Sequence, residues 1–186
     1  MKKIIVLTGT SGVGKTTISH YLAATYHIPA IITHTTRPPR SQEKNGVDYY
    51  FESAASFAQQ DLIEQVSYAG YRYGSSIQGL QQAWRHANVA SIILDPAGAQ
   101  KYYERFGQRV LFWFIVADVP VLTQRLQQRG DNAVQLKQRL QSQEFLRDLQ
   151  VPVTLQSIAT IIHNNDWRQT QQQLARLVQP LLAQTD

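Results

Sequence analysis

Gly9-Thr10-Ser11-Gly12-Val13-Gly14-Lys15-Thr16 follows the apolar run Ile4-Ile5-Val6-Leu7 and leads into a helical pattern over residues 15–26. The stretch fits G-x-x-x-x-G-K-S/T, and its place between a strand and a helix is the context that pattern requires. Glycines let the backbone wrap closely, so that amide N–H groups converge on an anion. The helix N-terminus adds partial positive charge, and Lys15 adds a full one. Thr16 is placed to ligate Mg²⁺, and Thr17 continues the first turn. Residues 9–17 are therefore a candidate site for the phosphates of a nucleoside triphosphate such as ATP. The loop does not name the group that receives phosphate, because switches, ATPases and kinases share it.

Outward from this loop, short apolar runs at 3–8, 90–94, 110–117 and 159–163 read as buried strands, with 29–33 as a fifth. They are apolar on both faces, as parallel strands covered by helices are. Helical patterns occupy 15–26, 76–87, 97–105, 120–128, 133–149 and 167–182. The alternation predicts an α/β fold of the P-loop NTPase type: a parallel five-stranded sheet flanked by helices. Residues 33–75 break it with Pro38-Pro39, a polar stretch and short aromatic segments, which predicts a small β-rich insert. One domain is expected, with its core in 1–32, 77–124 and 148–186 and the insert in 33–76.

The chain has 186 residues, 18 Lys plus Arg against 13 Asp plus Glu, and a net charge of +5. At 17% its charged fraction is low, against roughly 25% in an average protein. Without a basic run beyond Lys2-Lys3, the excess gives no footprint for nucleic acid. The absence of cysteine excludes disulfides, thiolate zinc sites and a cysteine nucleophile, and fits a reducing compartment. No apolar run approaches the roughly 20 residues of a membrane span. Residues 4–7 are too short for a signal-peptide core. These features predict a cytoplasmic protein, a monomer or homodimer, without membrane or nucleic-acid partners.

Thr35-Thr36-Arg37-Pro38-Pro39-Arg40 carries its own chemistry. Two prolines hold an extended segment with about three residues per turn, so Arg37 and Arg40 are expected on one side. Two guanidiniums aimed together repel unless an anion lies between them, and a phosphate bound bidentately is the natural occupant. The simpler alternative is a pair of solvated loop arginines.

With this segment the chain resembles the guanylate kinase family. The resemblance rests on the phosphate loop, Thr33-His34-Thr35-Thr36-Arg37-Pro38-Pro39-Arg40, Gly46-Val47-Asp48-Tyr49-Tyr50-Phe51, Ile63-Glu64 and Tyr73-Gly74-Ser75, in that order. It extends through Asp95, the segment from Arg125 to Gly130, and Asn164-Asn165-Asp166. It implies a GMP site in which Thr33, Arg37, Arg40, Tyr49 and Tyr73 hold the phosphate while Glu64 and Ser75 read the base, with Asn165 on the ATP side. A carboxylate accepts from guanine N1–H and the 2-amino group together, and a hydroxyl donates to O6. Adenine offers Glu64 no such pair, and an unpaired buried charge discriminates strongly. Taken singly, Glu64 reads rather as an ordinary strand carboxylate and Tyr49 and Tyr73 as packing, and it is their order together that favours the site.

Asp95 ends an apolar run and so stands at the strand edge shared with the loop, where it is expected to hold Mg²⁺ through water or to orient lid arginines. The family pattern has an aspartate two positions later, and here that residue is Ala97. His34 replaces a small residue and is expected in solvent. The resemblance also implies that residues 33–76 are the acceptor-binding insert and that residues 125–147 are a helical lid, in which Arg125 and Arg129, four apart on one helix face, and Arg139 on the next close over the phosphates. The implied chemistry is transfer of the γ-phosphoryl of Mg·ATP to GMP, with Lys15, Arg37, Arg40, Arg125, Arg129 and Arg139 neutralising charge. Three alternatives remain open at this stage: a kinase of another small phosphate such as ribose 1,5-bisphosphate, a weakly catalytic binding module, and a nucleic-acid-dependent ATPase.

Overall fold

The computed structural model describes residues 1–41, 43–68, 70–128 and 132–183. In chain order the elements are β1 (Lys3–Thr8), α1 (Lys15–Tyr26), β2 (His34–Thr35), β3 (Tyr50–Phe51), α2 (Ala54–Ala58), β4 (Leu62–Tyr68), β5 (Tyr71–Ser76), α3 (Ile77–His86), β6 (Val89–Ile93), α4 (Pro96–Phe106), β7 (Val110–Val116), α5 (Val119–Gln128), α6 (Ala133–Leu140), α7 (Gln143–Arg147), β8 (Ala159–His163) and α8 (Trp167–Ala183). Short 3-10 turns precede β7 and β8.

β1 lies inside a parallel sheet of order β6-β1-β7-β8. Its side chains alternate between two cores, as the period of a strand requires. Ile5 and Leu7 pack with Ile18 and Leu22 of α1 and Leu174 and Val178 of α8. Ile4 and Val6 pack with Leu80 of α3 and Ala99 and Tyr102 of α4. Both faces are thus covered, which is why the strands read as continuous apolar runs. The chain leaves β1 toward β6 on one side and β7 on the other, and the phosphate loop sits at this switch point.

The expected fifth strand is reduced to a single parallel bridge between Ala30 and Ser91. The Pro29 carbonyl accepts from Ser91 N–H, and Ile31 N–H donates to the Ser91 carbonyl. Beyond Ile31 the chain departs to form the second sheet, where the Thr33 carbonyl already accepts from Tyr50 N–H. That sheet has the order β3-β2-β5-β4, with β2 and β3 parallel and the other pairs antiparallel.

Residues 133–149, expected as one helix, form two. α6 ends at Leu140, and Ser142 starts α7 by accepting Phe145 N–H on its hydroxyl. A serine hydroxyl competes for backbone donors and so favours a cap over a helix interior. His34, expected in solvent, is 4% exposed. Its Nδ1 lies 2.9 Å from Glu52 Oε1 and its Nε2 2.8 Å from Ser76 Oγ, with the Tyr50 ring against it. The imidazole therefore joins β2, the end of β3 and the cap of α3. Among the described residues, no helix is long and apolar enough to cross a membrane.

Candidate active site

The loop conformation is set by close approach. Gly9 has φ 136°, and a Cβ there would run into the Ile115 carbonyl oxygen. Gly14 has φ 97°, and a Cβ would strike the Asn164 amide. Both are positions only glycine fills without strain. Asn164 is buried, donates to the Val13 carbonyl at 2.6 Å and accepts from Thr170 Oγ1 at 2.9 Å, so it ties the loop to the end of β8 and to α8. Asn165, the expected ATP-side residue, is exposed and accepts Asp118 N–H at 2.8 Å. Adjacent asparagines look alike in sequence, and the packing of β8 decides which one turns inward.

No side chain caps α1 among the described residues, and its first turn carries no acidic residue. The positive end of the helix is thus left for an anion. The Lys15 ammonium donates to the loop carbonyls of Gly9 and of Thr10, the latter at 3.0 Å. Thr16 and Thr17 are exposed on the same turn. Thr16 offers a hard hydroxyl oxygen beside the loop, a donor that suits Mg²⁺ when phosphates and water complete the shell.

Clefts lie on either side of the loop. One of about 550 Å³ is lined by Thr10, Ser11 and Lys15 on one wall and by Arg139, Glu144 and Asp148 on the other. Thr10 Oγ1 also donates to the Phe145 carbonyl at 3.3 Å, joining the loop to α7. Arg125 donates to the Val13 carbonyl at 3.5 Å and borders a smaller cleft with Thr17 and Asn164. Arg129 lies outside the described residues. Arg147 was not anticipated. It pairs with Asp148 at 2.7 Å, and the charge of Asp95 also helps to hold its guanidinium above the usual range, the Asp148 bond being the largest cause.

A cleft of about 370 Å³ brings Thr16 together with Thr33, Glu43 and Tyr49. Arg37 stacks over the rings of Tyr49 and Phe51 at 5.6 and 5.8 Å, and Tyr49 meets Tyr73 edge to face. Two guanidiniums around one anion were expected here, and the structure differs. The anion is Glu43, whose Oε1 accepts from the Arg37 guanidinium at 2.8 Å and whose Oε2 accepts the Arg40 backbone N–H at 2.8 Å. The Arg37 hydrogen bond first, then the Arg40 amide, holds the Glu43 carboxyl below its ordinary value. Arg40 itself is exposed. Glu43 thus fixes the turn that carries both arginines. Glu43→Gln, which sets an amide N–H against Arg37, is expected to raise KM for GMP about tenfold with KM for ATP unchanged, since charge-assisted pairs are roughly twice as strong as neutral ones. Initial rates with each nucleotide varied in turn check this, and equal changes in both constants would contradict it.

Glu64 and Ser75 face each other across β4 and β5. A bulge between Leu62 and Glu64 adds Ile63 to one strand only, so that Ile63 and Glu64 are both buried although adjacent. Ser75 Oγ donates to Glu64 Oε1 at 2.8 Å. Burial pushes the Glu64 carboxyl above its ordinary range, and the hydrogen bonds from Ser75 only partly oppose this. Asp95 caps α4 by accepting Gly98 N–H at 2.8 Å. A Cβ on Gly98 would lie 3.1 Å from Asp95 Oδ1 and 3.4 Å from Glu64 Oε2, so the two carboxylates stand side by side over one glycine. Ala97, on the first turn of α4, is exposed.

A phosphate loop with one cleft walled by α6 and α7, and a second cleft between α1 and the loops of the insert, places the protein among the nucleoside monophosphate kinases. A family model described as guanylate kinase matches residues 1–181, and the chain belongs to that family. It is 31% identical to a guanylate kinase of Nitrosomonas europaea over 137 residues, which are 71% of this chain and 68% of the relative. It is 33% identical to one from Thermosynechococcus vestitus over 136 residues, 70% and 71% of the two chains. Its fold matches the crystal structure of guanylate kinase from Anaplasma phagocytophilum with a TM-score of 0.66 at 22% identity, over 96% of this chain and 85% of that one.

Proposed function

We propose that the protein transfers the γ-phosphoryl group of Mg·ATP to the phosphate of GMP, giving ADP and GDP in the cytoplasm. The buried Glu64–Ser75 pair carries this reading. It offers two carboxylate oxygens and a hydroxyl at a site built into the insert, matching the N1–H, 2-amino group and O6 of guanine. A bisphosphorylated sugar would bring this buried carboxylate no pair of donors to add to Ser75, and its negative phosphates would be repelled by it.

Within this reading, residues 33–76 are the acceptor unit and residues 125–147 the lid. The acceptor phosphate lies with Thr33, Arg37, Arg40, Tyr49 and Tyr73, exchanging with or joining the Glu43 contacts. Its attacking oxygen needs no general base, because a phosphate monoester loses its second proton near pH 6. That oxygen forms a bond to the γ-phosphorus as the bond from γ-phosphorus to the β-bridging oxygen breaks, and the leaving pair stays on ADP. Lys15 and the loop amides bind the β- and γ-phosphates, while Arg125, Arg129 and Arg139 offset charge on the group in flight. Mg²⁺ bound with ATP would be held by Thr16, with Asp95 through water, and supplies charge neutralisation. Closure of lid and insert excludes water, which would otherwise take the phosphoryl group.

Incubation of the pure protein with ATP and Mg²⁺ against GMP, dGMP, AMP, UMP and ribose 1,5-bisphosphate tests this. Turnover of GMP and dGMP far above the rest is expected. Inactivity toward both guanine nucleotides would overturn it.

A further inference from the structure

Gly46, Val47 and Asp48 form the tip of a braced turn in the insert. Lys44 N–H donates to the Asp48 carboxylate at 2.7 Å, Val47 and Asp48 N–H both donate to the Lys44 carbonyl, and Gly46 N–H donates to the Tyr49 carbonyl at 2.8 Å. Gly46 takes a φ of 74°, which lets the chain reverse there. A turn tied this firmly fixes where Val47 stands, and Val47 is 66% exposed. The cleft of about 370 Å³ that Val47 borders from the insert is bordered from the parallel sheet by Ile93. Ile93 ends β6 and is 36% exposed, although every residue before it on that strand is buried.

An exposed valine or isoleucine standing alone needs no explanation. Here two line one cleft, one from each sheet, beside Thr16 and Tyr49. Those neighbours are proposed to serve Mg²⁺ and phosphate, which gain nothing from apolar surface. Among the described residues the two sheets share no strand pair, and the insert joins the core through the crossings at 32–33 and 76–77, so it is free to pivot there. We infer that Val47 and Ile93 meet when the insert closes on the acceptor, and that this apolar contact, made only in the closed form, keeps water from the transferring phosphoryl group. The inference rests on the proposed transfer to GMP. It adds which side chains form the seal, and it links the seal to the acceptor, because Tyr49, two residues past Val47, is proposed to hold the acceptor phosphate.

Val47→Thr and Ile93→Thr keep the branch at Cβ and put a hydroxyl into the contact. The quantity to measure is free phosphate released per GDP formed, at saturating GMP with Mg·ATP. This ratio does not depend on how much of a variant is folded. It is expected to rise about tenfold in each single variant, the scale set by losing the burial of a methyl or two, with KM for ATP within about twofold. Because one contact serves both residues, the double variant should lie within about twofold of the larger single effect. Val47→Leu keeps the contact apolar and should hold the ratio within about twofold of the wild type. The free Val47→Thr protein is expected to melt as the wild type does, since the side chain is packed only on closure. An unchanged ratio in either threonine variant, single effects that multiply in the double variant, or a loss in Val47→Leu as large as in Val47→Thr would overturn the inference. So would a lower melting temperature for Val47→Thr, which would show Val47 already packed in the open form. Failure of the wild type to form GDP from GMP would instead remove the proposed function on which the inference stands.

Discussion

Lys15→Ala is expected to lower the rate of phosphoryl transfer by about three orders of magnitude while leaving GMP affinity within about twofold. The ammonium is the full positive charge on the loop and donates to the Gly9 and Thr10 carbonyls. Charge builds on the β–γ bridge and the equatorial oxygens as the phosphoryl group moves, and fixed donors at that place are worth about 10²–10³ each in rate. A lysine carries a whole charge in a partly buried setting and belongs at the upper end. The residues proposed to hold the acceptor lie in the insert, away from Lys15 along the chain, so GMP binding should survive. Single-turnover transfer and calorimetric titration with GMP separate the two effects. Full transfer activity in the variant would mean that the loop is not the donor site.

Glu64→Gln is expected to reduce kcat/KM for GMP by about 10²–10³, with KM for ATP unchanged. The glutamine amide presents one acceptor and one N–H where guanine offers two donors, so a buried donor is left against a donor. The same change should stabilise the free protein at neutral pH. The sign follows from the raised folded value of Glu64. As pH rises past its ordinary 4.5, the unfolded chain loses this proton before the native one does. The native state then holds more protons, and stability falls until the folded carboxyl also ionises. Removing the charge removes that loss. For the same reason, KM for GMP in the wild type should climb on acidification at a higher pH than an exposed glutamate would allow. Melting curves of the free proteins and KM–pH profiles read both effects. A variant that loses GMP and ATP affinity equally would show Glu64 to be structural.

Much of the architecture is legible along the chain because its signals are local. The phosphate loop is a continuous stretch with its own strand before it and helix after it, and the strands announce themselves because both faces are buried. Helix α1 and strands β1 and β8 begin and end where periodicity puts them. The departures occur where a local cap or a distant partner overrides the apolar pattern. The break between α6 and α7 turns on Ser142 as a cap, which apolar spacing does not reveal. The fifth strand shrinks to Ala30 because the chain is already committed to carrying the insert. His34 is buried by Glu52 and Ser76, 18 and 42 residues on, and neither is visible from its own neighbourhood.

The candidate site divides in the same way. Residue types and order along the chain were enough to name the loop and the family to which the chain belongs, because both rest on short motifs in a fixed order. Folding alone settled how the site residues are held. It placed the Glu43 carboxylate on the Arg37 guanidinium and the Arg40 amide, turned Asn164 into the loop while Asn165 stays exposed, and set Asp95 beside Glu64. These depend on bulges, caps and packing between distant segments. Hydrogen-bond partners and burial are properties of a three-dimensional neighbourhood, which the order of residues specifies only through the fold.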